Sequence, residues 1–379
     1  MRVFLLLSFL LVAPGCQSQG QPSFASSGAD PMDTEAGGVD VVMVAEGLDH
    51  PWGMTFLPDG RMLVTERPGT LRIVSPDGTV SEPVAGTPEV RAVRQGGLLD
   101  VALDPDFETN GYVYLTYSKP GRDGTAATAL GRGVMQDERL TDWEDLFVQQ
   151  PYIDSGFHFG SRIAFSPDGY LFLSTGDRGS RGLAQDLGTH VGKLLRLNRD
   201  GTPAEGNPFA EQEGARLEIW AYGIRNAQSL AFHPETGDLW EAEFGPRGGD
   251  ELNRITPGTN YGWPLVSWGS EYSGGSIPDP PTRPDLTDAV AQWSPVISPS
   301  GMAFYTGGVF PEWTGSLMIS SLSKRGITRV VIEDGAVTHQ EQIDLGARIR
   351  EVEMGPDGHP YALTDATNGY VLRLDPADG

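Results

Sequence analysis

Cysteine is almost absent: Cys16 is the only one in 379 residues. A lone thiol excludes an internal disulfide framework and any paired-cysteine metal centre. Lysine is nearly as scarce, at Lys119, Lys193 and Lys324. The formal net charge of −24 repels phosphates and argues against nucleic acid as a partner. The plain meaning of that acidity is a solvated surface, but it makes any cluster of cations informative. No G-x-S-x-G elbow, Ser-His-Asp spacing or Gly-Lys-Ser/Thr phosphate loop occurs, so the common hydrolase and nucleotide signatures are missing. Helical periodicity is nearly missing too. Asp137 to Phe147 is the one stretch that reads as a candidate helix.

What is there is glycine (50) and proline (29), which favour many short strands and many turns over a helical bundle. The chain starts with Arg2 and an apolar run, Val3 to Val12, too short to span a bilayer as a stable helix. "LVAPGC" follows and resembles a bacterial lipoprotein signal, in which the cysteine becomes a lipidated N-terminus. Ala13 stands where leucine is usual; an ordinary signal peptide with an incidental Cys16 is the alternative. Either way residues 1–16 read as an export signal, implying a periplasmic or membrane-tethered protein. Residues 17–39, rich in Ser, Gly, Gln and Asp, read as a flexible tether. Residues 40–379 read as one folded domain.

Within that domain a unit recurs: a small or polar entry, an apolar strand, a Pro-Asp-Gly-like turn, a second apolar strand. Its six copies are "HPWGMTFLPDGRMLVTE", "QGGLLDVALDPDFETNGYVYLTY", "HFGSRIAFSPDGYLFLSTGD", "RNAQSLAFHPETGDLWEAE", "SPSGMAFYTGGVFPEWTGSLMIS" and "RIREVEMGPDGHPYALTD". Each has hairpin chemistry. Irregular repeats with room for four strands predict an all-β, six-bladed β-propeller of four-stranded antiparallel blades. The early strand Val41 to Ala45 is expected to complete the last blade.

The repeat supplies a register. His158 and Arg225 each lie nine residues before a turn proline, Pro167 and Pro234. Gln95 lies ten before Pro105, and Arg348 and Arg350 eight and six before Pro356. If the first strand of each hairpin is innermost, these residues ring one channel mouth. A single polar strand entry needs no explanation beyond exposure. A histidine, three arginines and a glutamine at one register suggest a site. Arg225, Arg348, Arg350 and Lys324 would bind a multiply anionic ligand, and His158 would be a candidate base. "FGPRGGDELN", from Phe244 to Asn253, adds a glycine-rich turn with two adjacent acids.

"HFGSRIAFSPDGYLFLSTGDRG", "AQDLGTHVGKLLRLNRDG", "EIWAYGIRNAQSLAF", "FGPRGGDELNRITPGTNYGWP", "SLSKRG" and "RIREV" together resemble the soluble sugar dehydrogenases that use pyrroloquinoline quinone (PQQ). The likeness is nearer to the periplasmic aldose branch and runs in order over roughly Leu48 to Leu374. It implies a six-bladed propeller and oxidation of aldoses at the anomeric carbon. It implies PQQ and Ca2+ as cofactors and a quinone or cytochrome as electron acceptor, in a monomer or dimer. By the same resemblance His158 is the base and Arg225 steadies charge on the cofactor. Asn226, Gln228, Lys324, Arg348 and Arg350 contact the cofactor, and Gln95 lies near the substrate. The carbonyls of Gly245 and Pro246 would face a cofactor calcium, with Glu251 and the Tyr261 carbonyl on a second, structural one. Two positions depart from the glucose branch: Phe157 replaces an acid before the histidine, and Arg178 replaces a glutamine in "GDRG". A calcium-dependent lactonase-type propeller and a non-catalytic carbohydrate- or protein-binding propeller are the rival readings.

Overall fold

A computed structural model describes residues 32–277 and 281–377. The expected export signal, Cys16 and the tether up to residue 31 lie outside them. Six antiparallel sheets form six blades. Blade 1 holds Pro51–Phe56, Met62–Glu66 and Thr70–Val74. Blade 2 holds Leu98–Leu103, Tyr112–Pro120, Ala126–Gln136 and Arg139–Val148. Blade 3 holds Gly160–Phe165, Leu171–Thr175, Lys193–Leu197 and Ile219–Tyr222. Blade 4 holds Ala227–Phe232, Leu239–Glu243, Asp250–Ile255 and Ala291–Trp293. Blade 5 holds Pro299–Phe304, Leu317–Ser321, Gly326–Glu333 and Ala336–Asp344. Blade 6 holds Ile349–Met354, Pro360–Thr364 and Gly369–Pro376, joined by Gly37–Leu48 and Met32–Thr34 from the other end of the chain.

That last pairing closes the ring as expected, with Val41 opposite Leu374 and Met43 opposite Leu372. It also shortens the tether. Residues 32–39, expected to be flexible, include two paired strand segments, and Val39 is buried. Polar composition was overridden there by edge pairing with blade 6. Blade 1 has three regular strands. The stretch after it takes the fourth place irregularly, through Ser81 N–H to Ile73 O (2.9 Å) and Val84 N–H to Leu71 O (2.8 Å). The candidate helix at Asp137 to Phe147 is instead the outer strand of blade 2. Asp137 and Glu138 both have left-handed backbones, the signature of a two-residue primed hairpin turn. Among the described residues no helix is long and apolar enough to cross a membrane.

The turn chemistry works as the sequence implies. Gly60, Gly169 and Gly358 all have φ near +85°. In each turn the glycine N–H bonds back to the residue before the proline (2.9 Å), which in turn bonds to the residue after the glycine. This is a type I turn with a left-handed glycine, a position that penalises any side chain. The core lies between blades. Leu63, Leu71 and Ile73 of blade 1 pack on Leu98, Val113 and Leu115 of blade 2, and Trp240 and Leu252 of blade 4 pack on Leu317 and Ile319 of blade 5. Each such buried side chain contributes about 1.5–3 kcal/mol.

The first strand of every hairpin is innermost, touching the first strands of both neighbouring blades. Each also carries a register shift near its start. In blades 1, 2, 3 and 5 a hydroxyl on the second strand secures the bulge, and in blades 1 to 3 it also ties that blade to the next. The Thr116 hydroxyl accepts from Asp100 N–H (2.8 Å) and donates to Ser161 O (2.7 Å). Ser174 accepts from Arg162 N–H (3.0 Å) and donates to Ala227 O (2.9 Å).

Candidate active site

His158 stands just before the inner strand of blade 3, at φ +53°. Its Nδ1 donates to Asp177 Oδ1 at 2.6 Å. Asp177 follows the second strand of the same blade and is itself held by Gly179 N–H (2.7 Å) and Trp263 Nε1–H (2.8 Å). A carboxylate surrounded by donors is an acceptor, which assigns the ring proton to Nδ1 and leaves Nε2 with its lone pair. Burial pulls the His158 pKa below its ordinary value, helped by the Arg225 charge and opposed by the bond to Asp177. Burial tends to raise Asp177, but the bond to His158 prevails and holds it low. Gln95 Oε1 accepts from the His158 backbone N–H at 2.7 Å, so Gln95 fixes the base as well as lining the neighbouring cavity.

That cavity, of about 380 Å³, opens at the same rim and is strongly cationic: Arg67, Arg94, Arg348 and Arg350 line it. Asp365 is the one acidic side chain among the described residues there, and it gathers Arg348 (2.9 Å), Arg350 (2.9 Å) and His50 (3.1 Å). Burial alone would raise the Asp365 pKa; the Arg350 charge and the bond from His50 drive it far below the carboxylate range. Arg350 also donates to Gln228 Oε1 at 2.9 Å. Among the described residues its Nε is buried without a partner, as is Nε of Arg225. Arg225 otherwise donates to Phe244 O (3.0 Å) and lies 5.3 Å from the Trp263 ring. Buried guanidinium nitrogens with no acceptor are costly and fit an anionic guest.

The remaining expected residues divide. Asn226 is committed to the backbone: its Oδ1 accepts from Gly160 N–H at 3.1 Å, and it lines neither this cavity nor the next. Lys324 is exposed, two residues beyond cavity-lining Leu322. Gly245, Pro246, Glu251 and Tyr261 line one small second cavity together with Arg225 and Glu243. The glycine-rich loop turns sharply at Gly248 and Gly249, both left-handed. Asp250 is occupied in holding it, accepting from Gly245 N–H (2.8 Å) and Ser298 N–H (2.6 Å). Burial pushes Glu243 up to about 7, and burial with the adjacent Glu243 charge pushes Glu251 well above the carboxylate range. Among the described residues Glu241 Oε1 and Asn253 Oδ1 are buried without partners. Crowded carboxylates and orphan oxygens suit a hard cation. Among the described residues no ready cluster of three His, Cys, Asp or Glu ligands exists, so a cation there would draw on backbone carbonyls.

Sequence reasoning missed Asp177, Trp263, Asp365, His50, Arg67 and Arg94. Asp177 was visible as the acid of "STGD" in the His158 hairpin; the others come from other blades, His50 and Arg67 both from blade 1. Arg178, noted as a departure, is fully buried. It lies 3.5 Å from the Phe159 ring and donates to the carbonyls of Phe157 (2.8 Å) and Ser155, clamping the loop that presents His158. Burial, with the Arg91 charge, lowers its pKa to about 9. Phe157 is 41% exposed beside the histidine, with Arg94 4.9 Å above its ring.

The channel mouth of the propeller thus sets a carboxylate-held histidine beside an arginine-lined cavity. The chain belongs to the Glucose / Sorbosone dehydrogenase family, whose model matches residues 48–373. It is 44% identical to aldose sugar dehydrogenase YliI of Escherichia coli, over 89% of this chain and 93% of that protein. The apo crystal structure of the soluble aldose sugar dehydrogenase of Escherichia coli superposes with a TM-score of 0.87 at 43% identity, covering 89% of this chain and all of that one. The PQQ-bound aldose sugar dehydrogenase of Streptomyces coelicolor gives 0.75 at 31% identity, covering 91% and 99%.

Proposed function

We propose that this protein oxidises aldose sugars at the anomeric carbon to the lactone, using PQQ and calcium, and passes the electrons to a quinone or cytochrome. The observation that carries the reading is the pair of unpartnered buried guanidinium nitrogens, on Arg225 and Arg350, at the mouth that holds the His158–Asp177 pair. PQQ is a tricarboxylate, and Arg225, Arg348, Arg350 and Lys324 are the groups that would hold it, with Gln228 fixed against Arg350. The chemistry it supplies when bound is two-electron acceptance, as hydride, from the anomeric carbon. His158 Nε2 takes the proton of the anomeric hydroxyl, and Asp177 stabilises the resulting imidazolium through Nδ1. Arg225 and Arg350 offset the negative charge that develops at the rim. Gly245 and Pro246 would present carbonyls to one calcium and Glu251, with the Tyr261 carbonyl, to another, each ion fixing the loop and neutralising local charge.

The PQQ-bound Streptomyces relative supports this reading. A lactonase-type site would place acids at the rim, where arginines dominate. Export, and a lipid tether through Cys16, belong to the same proposal and rest on the sequence alone. The test is reconstitution: add PQQ and Ca2+ to cofactor-free protein and assay aldose oxidation with an artificial electron acceptor. Absence of both activity and PQQ binding would sink the reading. His158→Gln is expected to abolish turnover while PQQ still binds.

A further inference from the structure

The six inner strands share a pattern that the rim does not explain. Their third residues are Gly53, Asp100, Arg162, Ser229, Gly301 and Glu351. These positions form one layer across the propeller axis, centred on Arg162. Its side chain is 5% exposed and reaches every other blade. It lies 4.2 Å from the Trp52 ring in blade 1 and donates to Asp100 in blade 2 (2.9 Å). It donates to Gln228 O in blade 4 (2.6 Å) and Ser300 O in blade 5 (3.0 Å). In blade 6 it pairs with Glu351 and donates to Arg350 O (3.3 Å). The glycines make room for its counter-charges. A Cβ at Gly53 would sit 2.8 Å from Asp100 Oδ1, and one at Gly301 would sit 1.9 Å from Glu351 Oε1.

Three of these partners, Trp52, Gln228 and Arg350, also line the cationic cavity. They come from three separate blades, and Arg162 touches all three from behind. On its other side lies a further cavity of about 110 Å³, where Arg162 itself meets Asp100, Glu351 and Glu353 among apolar side chains such as Met54 and Met302. The layer therefore stands between a cationic mouth and these carboxylates. A planar fork of donors suits this task; a lysine ammonium cannot span the same acceptors.

We propose that Arg162 is a positioning residue. It holds Trp52, Gln228 and Arg350 in the arrangement that receives an anionic ligand, and it separates that ligand from the carboxylates behind. This rests on the anion-binding reading of the rim. A purely structural buried ion pair would lower stability without changing ligand affinity.

The test uses the full chain free of cofactor, titrated with PQQ by calorimetry, with thermal unfolding measured in parallel. Arg162→Lys is compared with Arg329→Lys. Arg329 is equally buried and is paired with Glu341 and Glu35 away from the axis. Both variants are expected to unfold at lower temperature. Only Arg162→Lys should weaken PQQ binding, by about tenfold, the equivalent of one well-placed hydrogen bond. Wild-type protein that binds no PQQ overturns the reading of the rim, and this proposal with it. Wild-type binding with unchanged affinity in Arg162→Lys overturns this proposal alone. If Arg162→Lys does not fold, Asp100→Asn decides. It is isosteric and weakens a charge-assisted bond that positions Arg162, so affinity should fall about threefold even though a repelling charge is removed; unchanged or raised affinity overturns the proposal.

Discussion

His158 owes its basicity to partners rather than to its place in the chain. A lone histidine between a phenylalanine and another phenylalanine is ambiguous. The 2.6 Å bond to Asp177 and the backbone bond to Gln95 fix its tautomer and its left-handed backbone. Turnover by this base needs the neutral ring, so the rate should rise as pH climbs through the His158 pKa and then level off. Burial lowers that pKa, which places the acid limb of the kcat/KM profile below about pH 6.5, the ordinary histidine value. Asp177→Asn removes the group that raises the pKa. The limb should move to lower pH while the plateau falls roughly 10²–10⁴-fold, because the amide can favour the wrong tautomer. A fall in plateau with an unmoved limb would assign Asp177 a structural role only. The profile is measured with saturating PQQ and Ca2+.

At the scale of single elements, the bulged inner strand and its hydroxyl are the working unit. The bulge sets the entry residues of each blade on the rim, and in blades 1 to 3 the hydroxyl behind it joins two blades. Thr116→Val keeps shape and removes the hydroxyl. It leaves Asp100 N–H and Ser161 O without the bonds they make now. Leaving such groups buried and unpaired costs about 1–3 kcal/mol, and the shift in urea midpoint at constant slope reports it. Asp100 also carries a bond to Arg162, so the same variant should loosen the axial layer. The glycine-rich loop shows the opposite economy. Its conspicuous acid, Asp250, is consumed in fastening the loop. That leaves Glu251 and the carbonyls to meet a cation.

For the molecule as a whole, closure decides whether there is a site at all. Gln95, His158, Arg225 and Arg350 sit at the entries of four different blades, and only the ring brings them to one mouth. The closing strand, Gly37–Leu48, buries Val39, Ala45 and Leu48 against blade 6. Deleting residues 1–48 removes that strand and exposes an unpaired edge at Gly369–Pro376. The thermal midpoint should fall by roughly 10 °C or more, with added aggregation through the open edge. Unchanged thermal unfolding would mean that the ring closes without it.

Much of this was legible in the chain. Six Pro-Asp-Gly-like hairpins have local chemistry strong enough to announce blades, because a left-handed glycine and an alternating strand need no distant partner. The register of Gln95, His158, Arg225 and Arg350 followed from the same repeat. Where distant partners decided, local signals failed. Residues 32–39 look like tether but find an edge strand from the far end of the chain. Asp137 to Phe147 looks helical but pairs with Ala126–Gln136. Asp365, Arg67 and Arg94 have no local mark of function, since their charges meet only across blades. Arg162 is one residue in "GSRIAF" until six strands converge on it. Strand, turn and repeat are short-range properties and belong to the sequence. Which charges share a low-dielectric space is a long-range property, and ring closure alone determined it.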